Sequence, residues 1–357
     1  MSTSVSTQKN SSSSIPASPT EKQKGTLEKM KNGVFGFAPN SYQLKFYETL
    51  IGTKNNIGIN AKAGTGKTTT IIDAIRLLSG EKVLFLAFNK SIATELQEKF
   101  ASLNFNNVEV NTVHSQGYKV LRNAITNQGK KVRVDSSLFT NYVRSCFQTE
   151  YFDEGRKRYN YSELSDLHAE IKDFDPLDYV RNSVKLANLG RMFLTSQVEG
   201  LEEIAERYCI ELILNQSQKI ASILKAYTNR FFSALTEGSI NSTLYVDFTD
   251  MLWLPNVALA TSIGKEWRIE KYDYVFIDEA QDLSKAQRIL VQKFVKSTGR
   301  LIFVGDPNQS IYGFAGADND SFNALTQIPN TINLDLNLCY RCGSKIIEEA
   351  RDRKSVV

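Results

Sequence analysis

Three groups of residues have the types and spacing to do chemistry. The first is Asn60-Ala61-Lys62-Ala63-Gly64-Thr65-Gly66-Lys67-Thr68-Thr69. It fits the phosphate-binding pattern G-x-x-x-x-G-K-S/T, with Ala61 where the first glycine usually stands. Free backbone N–H groups of such a loop and the N-terminus of the helix behind it converge on one point, which suits a polyphosphate. Ala63, Gly64, Thr65, Gly66, Lys67, Thr68 and Thr69 would surround the phosphates. Lys67 would reach the β- and γ-phosphates, and the Thr68 hydroxyl would hold Mg²⁺. The second group is Asp278-Glu279, directly after the apolar run Tyr274-Val275-Phe276-Ile277. A phosphate loop needs such a partner: Asp278 for the metal, Glu279 to polarise an attacking water. The third is Gln43, a short way upstream, whose amide is both donor and acceptor and can pair with an adenine edge.

These side chains need a scaffold that brings distant segments to one place. Asn56–Asn60 reads as a strand, and Thr68–Leu78 as a helix with Ile71, Ile72, Ile75 and Leu78 on its apolar face. Lys82–Phe88 is a buried strand leading to Asn89-Lys90-Ser91 and an amphipathic helix over Ile92–Phe100. Val108–Thr112 is a further strand, ending at Val113-His114-Ser115. Later come strands over Tyr274–Ile277, Arg300–Val304 and Thr331–Leu336. This alternation predicts an α/β fold, a doubly wound parallel sheet, with ligands beyond the carboxyl ends of its strands. Phe88, Asn89, Lys90, Thr112 and His114 fall at such ends. Together they suit a single strand of nucleic acid, rings stacking on bases and polar groups holding phosphates; alone, His114 reads as a satisfied core group.

Between about Asn127 and Asn241 the alternation stops, and a long, charged, mainly helical pattern takes over, as in Leu201–Leu214 and Ile220–Leu235. It reads as an inserted helical subdomain whose charge run Arg156-Lys157-Arg158 is a solvated face. Residues 1–26, rich in Ser, Thr, Lys and Pro, read as a disordered tail. Asn40 or Ser41 is placed to cap the helix that carries Gln43.

The formal net charge of +4 permits a nucleic-acid partner without arguing for one. No run approaches the roughly 18 apolar residues of a membrane span, and the N-terminus lacks a secretory apolar stretch. The four cysteines make no disulfide framework, so a reducing intracellular compartment, cytoplasm or nucleus according to the host, is expected. Cys339-Tyr340-Arg341-Cys342 is a lone CxxC in a chain whose histidines are His114 and His168, and reads as buried thiols rather than a zinc site.

With these residues assembled, the chain resembles the ATPase half of a superfamily 1 DNA helicase of the UvrD/Rep/PcrA type, over most of 37–128 and 244–350. The resemblance rests on an ordered set: Gln43, AKAGTGKTT, AFNKSIA, TVHS, DFTDML, VFIDEAQD, VGDPNQSIYGFAGA and LCYRC. The phosphate loop and AFNKSIA are also similar to the F-box DNA helicases of that group. The resemblance implies a RecA-like P-loop NTPase fold, ATP and Mg²⁺ as cofactors, and single-stranded DNA or a single/double-strand junction as partner. It implies that Gln43 reads adenine while Tyr340 stacks on it, and that Asp278 assists the metal while Glu279 is the general base. It further implies that Gln309 senses the γ-phosphate, that Arg341 is an arginine finger, and that Phe88, His114, Tyr312 and Phe314 line the strand path. Travel from 3′ to 5′ is expected by resemblance alone.

Three departures stand out. Ala61 replaces the usual glycine. Phe314-Ala315 stands where these helicases often have Trp-Arg, so a ring is kept and a cation lost. The pattern also stops soon after Arg341, without the later motifs, so the chain as given is expected to be a crippled motor. The organisation expected is 27–128 and 244–332 as motor domain 1A, 129–243 as a 1B-like insert, and 333–351 as the start of a second motor domain 2A. Residues 352–357 match what one frame of a common short-read sequencing adapter encodes and are read as an assembly artefact. The leading expectation is an ATP-dependent DNA helicase or translocase. A DNA-dependent ATPase without strand separation, or a non-catalytic nucleic-acid clamp, are the alternatives.

Overall fold

The structure, a computed structural model, describes residues 15–153, 156–172, 174–310, 316–318 and 320–341. Tyr312, Phe314, Cys342 and residues 352–357 lie outside the described residues.

Six parallel strands form the central sheet, in the order β10-β1-β9-β8-β2-β3. They are β1 (Asn56–Ala61), β2 (Val83–Ala87), β3 (Val108–Thr112), β8 (Tyr272–Ile277), β9 (Val295–Gly305) and β10 (Thr331–Leu336). Strand side chains alternate between the two faces. Ile57, Ile59, Val83, Phe85, Phe276, Ile302 and Val304 pack with α1 (Glu21–Lys31), α2 (Ser41–Gly52), α3 (Lys67–Arg76) and α4 (Lys90–Ser102). Leu84, Leu86, Val275, Ile277, Leu301 and Phe303 face the other way. There they meet α5 (Val113–Asn127), α11 (Asp250–Leu259), α12 (Lys285–Lys293) and α13 (Ser321–Thr326). Both faces are covered, which is why the inner strands β2, β8 and the end of β9 are near-continuous apolar runs. This is the α/β, RecA-like doubly wound sheet expected of a P-loop NTPase.

Between α5 and α11 the chain leaves the sheet. It runs through β4 (Lys131–Val134), α6 (Leu138–Ser145), β5 (Thr149–Asp153), β6 (Arg156–Asn160), α7 (Ser165–Glu170), α8 (Pro176–Met192), α9 (Val198–Arg207), α10 (Gln216–Thr236) and β7 (Thr243–Val246). Helices α6 and α8–α10 share their own core, with Phe139, Leu186, Leu201, Ile220 and Leu224 fully buried. The stretch is less purely helical than its periodicity predicts. β5 and β6 form a hairpin, and β4 pairs with β7 in parallel, Lys131 opposite Thr243. That second ladder straddles the boundary expected at residue 243; its partners are too far apart along the chain for local pattern to reveal. α9 also stops at Arg207 rather than running to Leu214, and Cys209 takes a left-handed φ of 50° just after it.

The N-terminal expectation needs correction. Residues 1–26 read as disordered, yet α1 begins at Glu21 behind a capping box, Thr20 and Gln23 each bonding the other's backbone. Leu27 and Met30, three apart on the same face, bury themselves in the core. Composition averaged over the tail hid a local cap at Thr20, and the apolar pair that anchors the helix lies just past the expected boundary.

Candidate nucleotide site

Because every strand of the sheet is parallel, every carboxyl end lies on one edge, and the predicted groups collect there. β1 delivers the phosphate loop. Gly64 and Gly66 take left-handed φ values of 73° and 77°, so the loop needs glycine at both. At Gly64 space matters too: a Cβ there would sit 2.6 Å from Arg341 Cβ and 3.0 Å from Cys339 Sγ. The segment after β10 therefore lies directly on the loop, and the Tyr340 N–H donates to Gly64 O at 2.8 Å. Thr65 is buried and closes the loop by donating its hydroxyl to Lys62 O. Ala63, Thr68 and Thr69 are exposed on the loop and the first turn of α3.

Gln43 and Tyr340, the groups expected to hold a base, meet on a cavity of about 670 Å³, lined also by Gly66, Thr69, Phe35 and Phe37 among others. Gln43 is fixed twice. Its Oε1 accepts from the Asn40 N–H in the capping box of α2, and its Nε2 donates to Thr70 Oγ1 at 2.9 Å. Of the two caps the sequence offered, Asn40 is the one used. Its Nδ2 also donates to Tyr340 Oη at 2.6 Å, so one residue caps the helix that carries Gln43 and orients the ring opposite. Sequence reading missed the Phe35–Phe37 wall and the Arg76 guanidinium 4.6 Å above the Phe35 ring. The aromatic pair beside Gly36 was the available signal.

On the adjoining strand ends the acidic groups crowd together. Asp278 is buried, and its Oδ1 accepts the Glu279 N–H. Burial and the neighbouring Glu279 carboxylate push Asp278 up to about 6. Asp282 is likewise pushed up to about 6, by burial and then by Glu279. Lys67 Nζ answers this charge with an ion pair to Glu279 Oε2 at 2.8 Å. Glu279 sits at a left-handed φ of 51°, a conformation that costs a non-glycine residue about 1 kcal/mol or more. Asp278 offers a desolvated, under-compensated carboxylate and Thr68 a hydroxyl in the first turn of α3, and these hard oxygen donors are of the type that fits Mg²⁺. At the end of β9, Gln309 Nε2 donates to Asp306 Oδ2 at 2.5 Å.

The polar rim groups expected for nucleic acid have structural duties as well. Asn89 caps α4 by accepting from the Ile92 N–H, and Thr112 caps α5 by accepting from the Ser115 N–H. Phe88 lies just beyond β2 and is 38% exposed, which separates it from the fully buried Phe85. Lys90 is exposed at the start of α4. His114, in the first turn of α5, is half-buried, and burial lowers its imidazole below the usual value. Among the described residues no cluster of His, Cys, Asp and Glu has the makings of a multi-ligand metal site. Cys339 is half-buried rather than buried, because it rests on the phosphate loop.

The family model for the UvrD/REP helicase N-terminal domain matches residues 40–329, from the cap of α2 to the loop before β10. The chain belongs to that family. Its similarity to named members of the helicase group is distant but long. It is 25% identical over 317 residues to F-box DNA helicase protein 1 of Schizosaccharomyces pombe, covering 87% of this chain and 32% of that protein. It is 26% identical over 322 residues to the ATP-dependent DNA helicase PcrA of Staphylococcus aureus, covering 85% of this chain and 38% of PcrA. A probable DNA helicase II homolog of Mycoplasma capricolum is 26% identical over 306 residues, covering 82% of this chain and 38% of that protein. The chain thus spans about a third of the length of these relatives. Among the described residues no helix of this UvrD/REP-type chain is long and apolar enough to cross a membrane.

Proposed function

We propose that the chain is the nucleotide-binding motor part of an ATP- and Mg²⁺-dependent DNA helicase or translocase acting on single-stranded DNA or a single/double-strand junction inside the cell. In this reading 27–128 with 244–332 is motor domain 1A, 129–243 the insert, and 333–351 the start of domain 2A. Gln43 and Tyr340 hold adenine, and Ala63 to Thr69 wrap the phosphates. Lys67 places its charge on the β- and γ-oxygens, Thr68 and Asp278 hold Mg²⁺, and Glu279 takes the proton of the attacking water. Gln309 answers to the γ-phosphate, and Arg341 steadies the charge that develops there. Phe88, Asn89, Lys90, Thr112 and His114, with Tyr312 and Phe314, form the rim along which the DNA strand runs. The observation that carries the reading is the shared loop: Lys67, paired with Glu279, directly follows Gly66, which lines a cavity together with Gln43 and Tyr340, whose segments lie far apart in sequence.

The test is ATP turnover with and without single-stranded DNA, alongside calorimetric ATP·Mg²⁺ binding. Lys67→Ala removes the one point charge assigned to the phosphates, so binding weakens and turnover disappears. Equal affinity in parent and variant would sink the assignment.

A further inference from the structure

Gln281 has no role in the mechanism above, yet it sits at the junction of the two strand ends that carry it. The residue is 3% exposed. Its Nε2 donates to Glu279 Oε2 at 2.9 Å and to Asp282 Oδ2 at 3.2 Å. Its Oε1 accepts the Asp306 N–H at 3.1 Å, and its backbone carbonyl accepts the Ser310 hydroxyl at 3.4 Å. The amide orientation follows from the partners: a backbone N–H can only donate, and two carboxylates can only accept. The fit is close as well. A Cβ on residue 305 would lie 2.3 Å from Gln281 Oε1, so β9 approaches this amide only because Gly305 has no side chain.

Glu279 Oε2 thus receives two donors, Lys67 Nζ and Gln281 Nε2. They differ in what a nucleotide does to them. A polyphosphate competes for the Lys67 ammonium, because charge-assisted bonds to phosphate are strong. It offers nothing to an amide that already faces two carboxylates. Once Lys67 turns to the phosphates, Gln281 is the hydrogen-bond donor that still holds Glu279 Oε2 among the described residues.

We infer that Gln281 is the positioning residue for Glu279: it keeps the carboxylate aimed when nucleotide draws Lys67 away, and it ties that aim to the Asp306–Gln309 turn. The inference rests on the function proposed above. It gives that site an internal link, since a shift of the Asp306 backbone pulls on the same amide that steadies Glu279. A misplacement of about 1 Å in a reacting group can cost about 10²-fold in rate, so a single amide is enough to matter.

The experiment uses the full 357-residue chain; because slow turnover is expected of it, kcat and KM for ATP are read at high protein concentration with single-stranded DNA present, together with melting temperature. Gln281→Glu keeps an acceptor for the Asp306 N–H but replaces the donor with an oxygen facing Glu279. Gln281→Met keeps the length and loses both ends. Lys67→Ala and Glu279→Gln are the benchmarks. The expected result is a kcat lowered about 10²-fold in Gln281→Glu, with KM within about threefold of the parent, because ground-state binding is untouched. Gln281→Met should lose kcat similarly and also melt earlier. Unchanged kcat per folded molecule in both variants, with turnover lost in Glu279→Gln, overturns the inference and leaves the site standing. A raised KM at constant kcat overturns it too, since Gln281 would then serve binding. Parent turnover indifferent to both benchmarks overturns the proposed function, and this inference with it.

Discussion

Two buried clusters of carboxylates in this protein have opposite characters. In the first, Arg191 is fully buried and answers two acids at once. It bonds Asp247 Oδ2 at 2.7 Å and Asp250 Oδ1 at 2.8 Å, with its guanidinium 3.6 Å from the centre of the Phe139 ring. Tyr227 Oη and the Asp247 N–H cover Asp250 Oδ2, and the Asp250 N–H covers Asp247 Oδ1. Every carboxylate oxygen has a donor, while the buried Arg191 Nε–H finds no acceptor. In the second cluster Asp278, Glu279 and Asp282 share the single ion pair from Lys67, and Asp282 Oδ1 is buried with no partner. Burial raises Asp250 to about 6, as it raises Asp278. What differs is the answer: a bidentate arginine in one place, one lysine shared among three acids in the other. The satisfied cluster joins α8 and α10 to the start of α11 and reads as a lock. The unsatisfied one is where the proposed function places a cation and a polyphosphate.

The largest effect should come from breaking the lock. Arg191→Met strands two buried carboxylates, and losing one side of a buried pair costs about 3–5 kcal/mol. Urea and thermal unfolding should show a drop of that order, while a variant melting like the parent would mean the acids are neutral or hydrated.

The second cluster should respond with the opposite sign. Asp278 is raised in the folded state, so its contribution is fully present below the unfolded carboxylate value near 4 and lost as pH climbs through about 6. Asp278→Asn removes that loss. The variant should be more stable than the parent by about 2 kcal/mol at pH 7.5, with the gain shrinking to nothing as pH falls from about 6 to about 4. Its nucleotide binding should become indifferent to Mg²⁺. An Asn variant that melts earlier at pH 7.5 would show that the carboxylate is compensated after all.

A smaller test lies in the neutral bonds around the cavity. Asn40→Ala removes a helix cap and the bond to Tyr340 Oη, at a cost of about 1 kcal/mol in stability. ATP affinity should fall as well, because Tyr340 Oη loses its donor and the Gln43 N–H loses its capping acceptor, although the Asn40 N–H still holds Gln43 Oε1. A stability loss with unchanged ATP affinity would confine Asn40 to capping.

Much of this was legible in the chain. Strands β2 and β8 and the Leu301–Val304 part of β9 announce themselves as short apolar runs because both faces of the sheet are covered, whereas β1, β3 and β10 alternate apolar with polar residues. The phosphate loop follows β1 directly, and the Asp278-Glu279 pair follows β8. What local pattern could not show is pairing across distance. The β4–β7 ladder and the Asn40–Tyr340 bond, 300 residues apart, depend on the finished fold. Gln281 stood in plain view within VFIDEAQD, but its role needs Gly305 and Asp306 beside it, and only the register of β8 with β9 puts them there. Asn89 and Thr112 show the converse, since a polar residue at a strand end is also a helix cap and sequence alone does not separate the duties.

The strand order also bears on how the protein is made. β1 is the first strand to leave the ribosome, yet its neighbours in the sheet are β9 and β10. The phosphate loop therefore hangs from an unpaired strand until synthesis has passed Gly305 and β9 can dock, and from a half-paired one until Leu336. At roughly 5–20 residues per second, that leaves an apolar strand waiting for tens of seconds. Through that interval β1 is a bare edge that other chains can add to, a hazard that the finished sheet, with β1 paired on both sides, does not reveal.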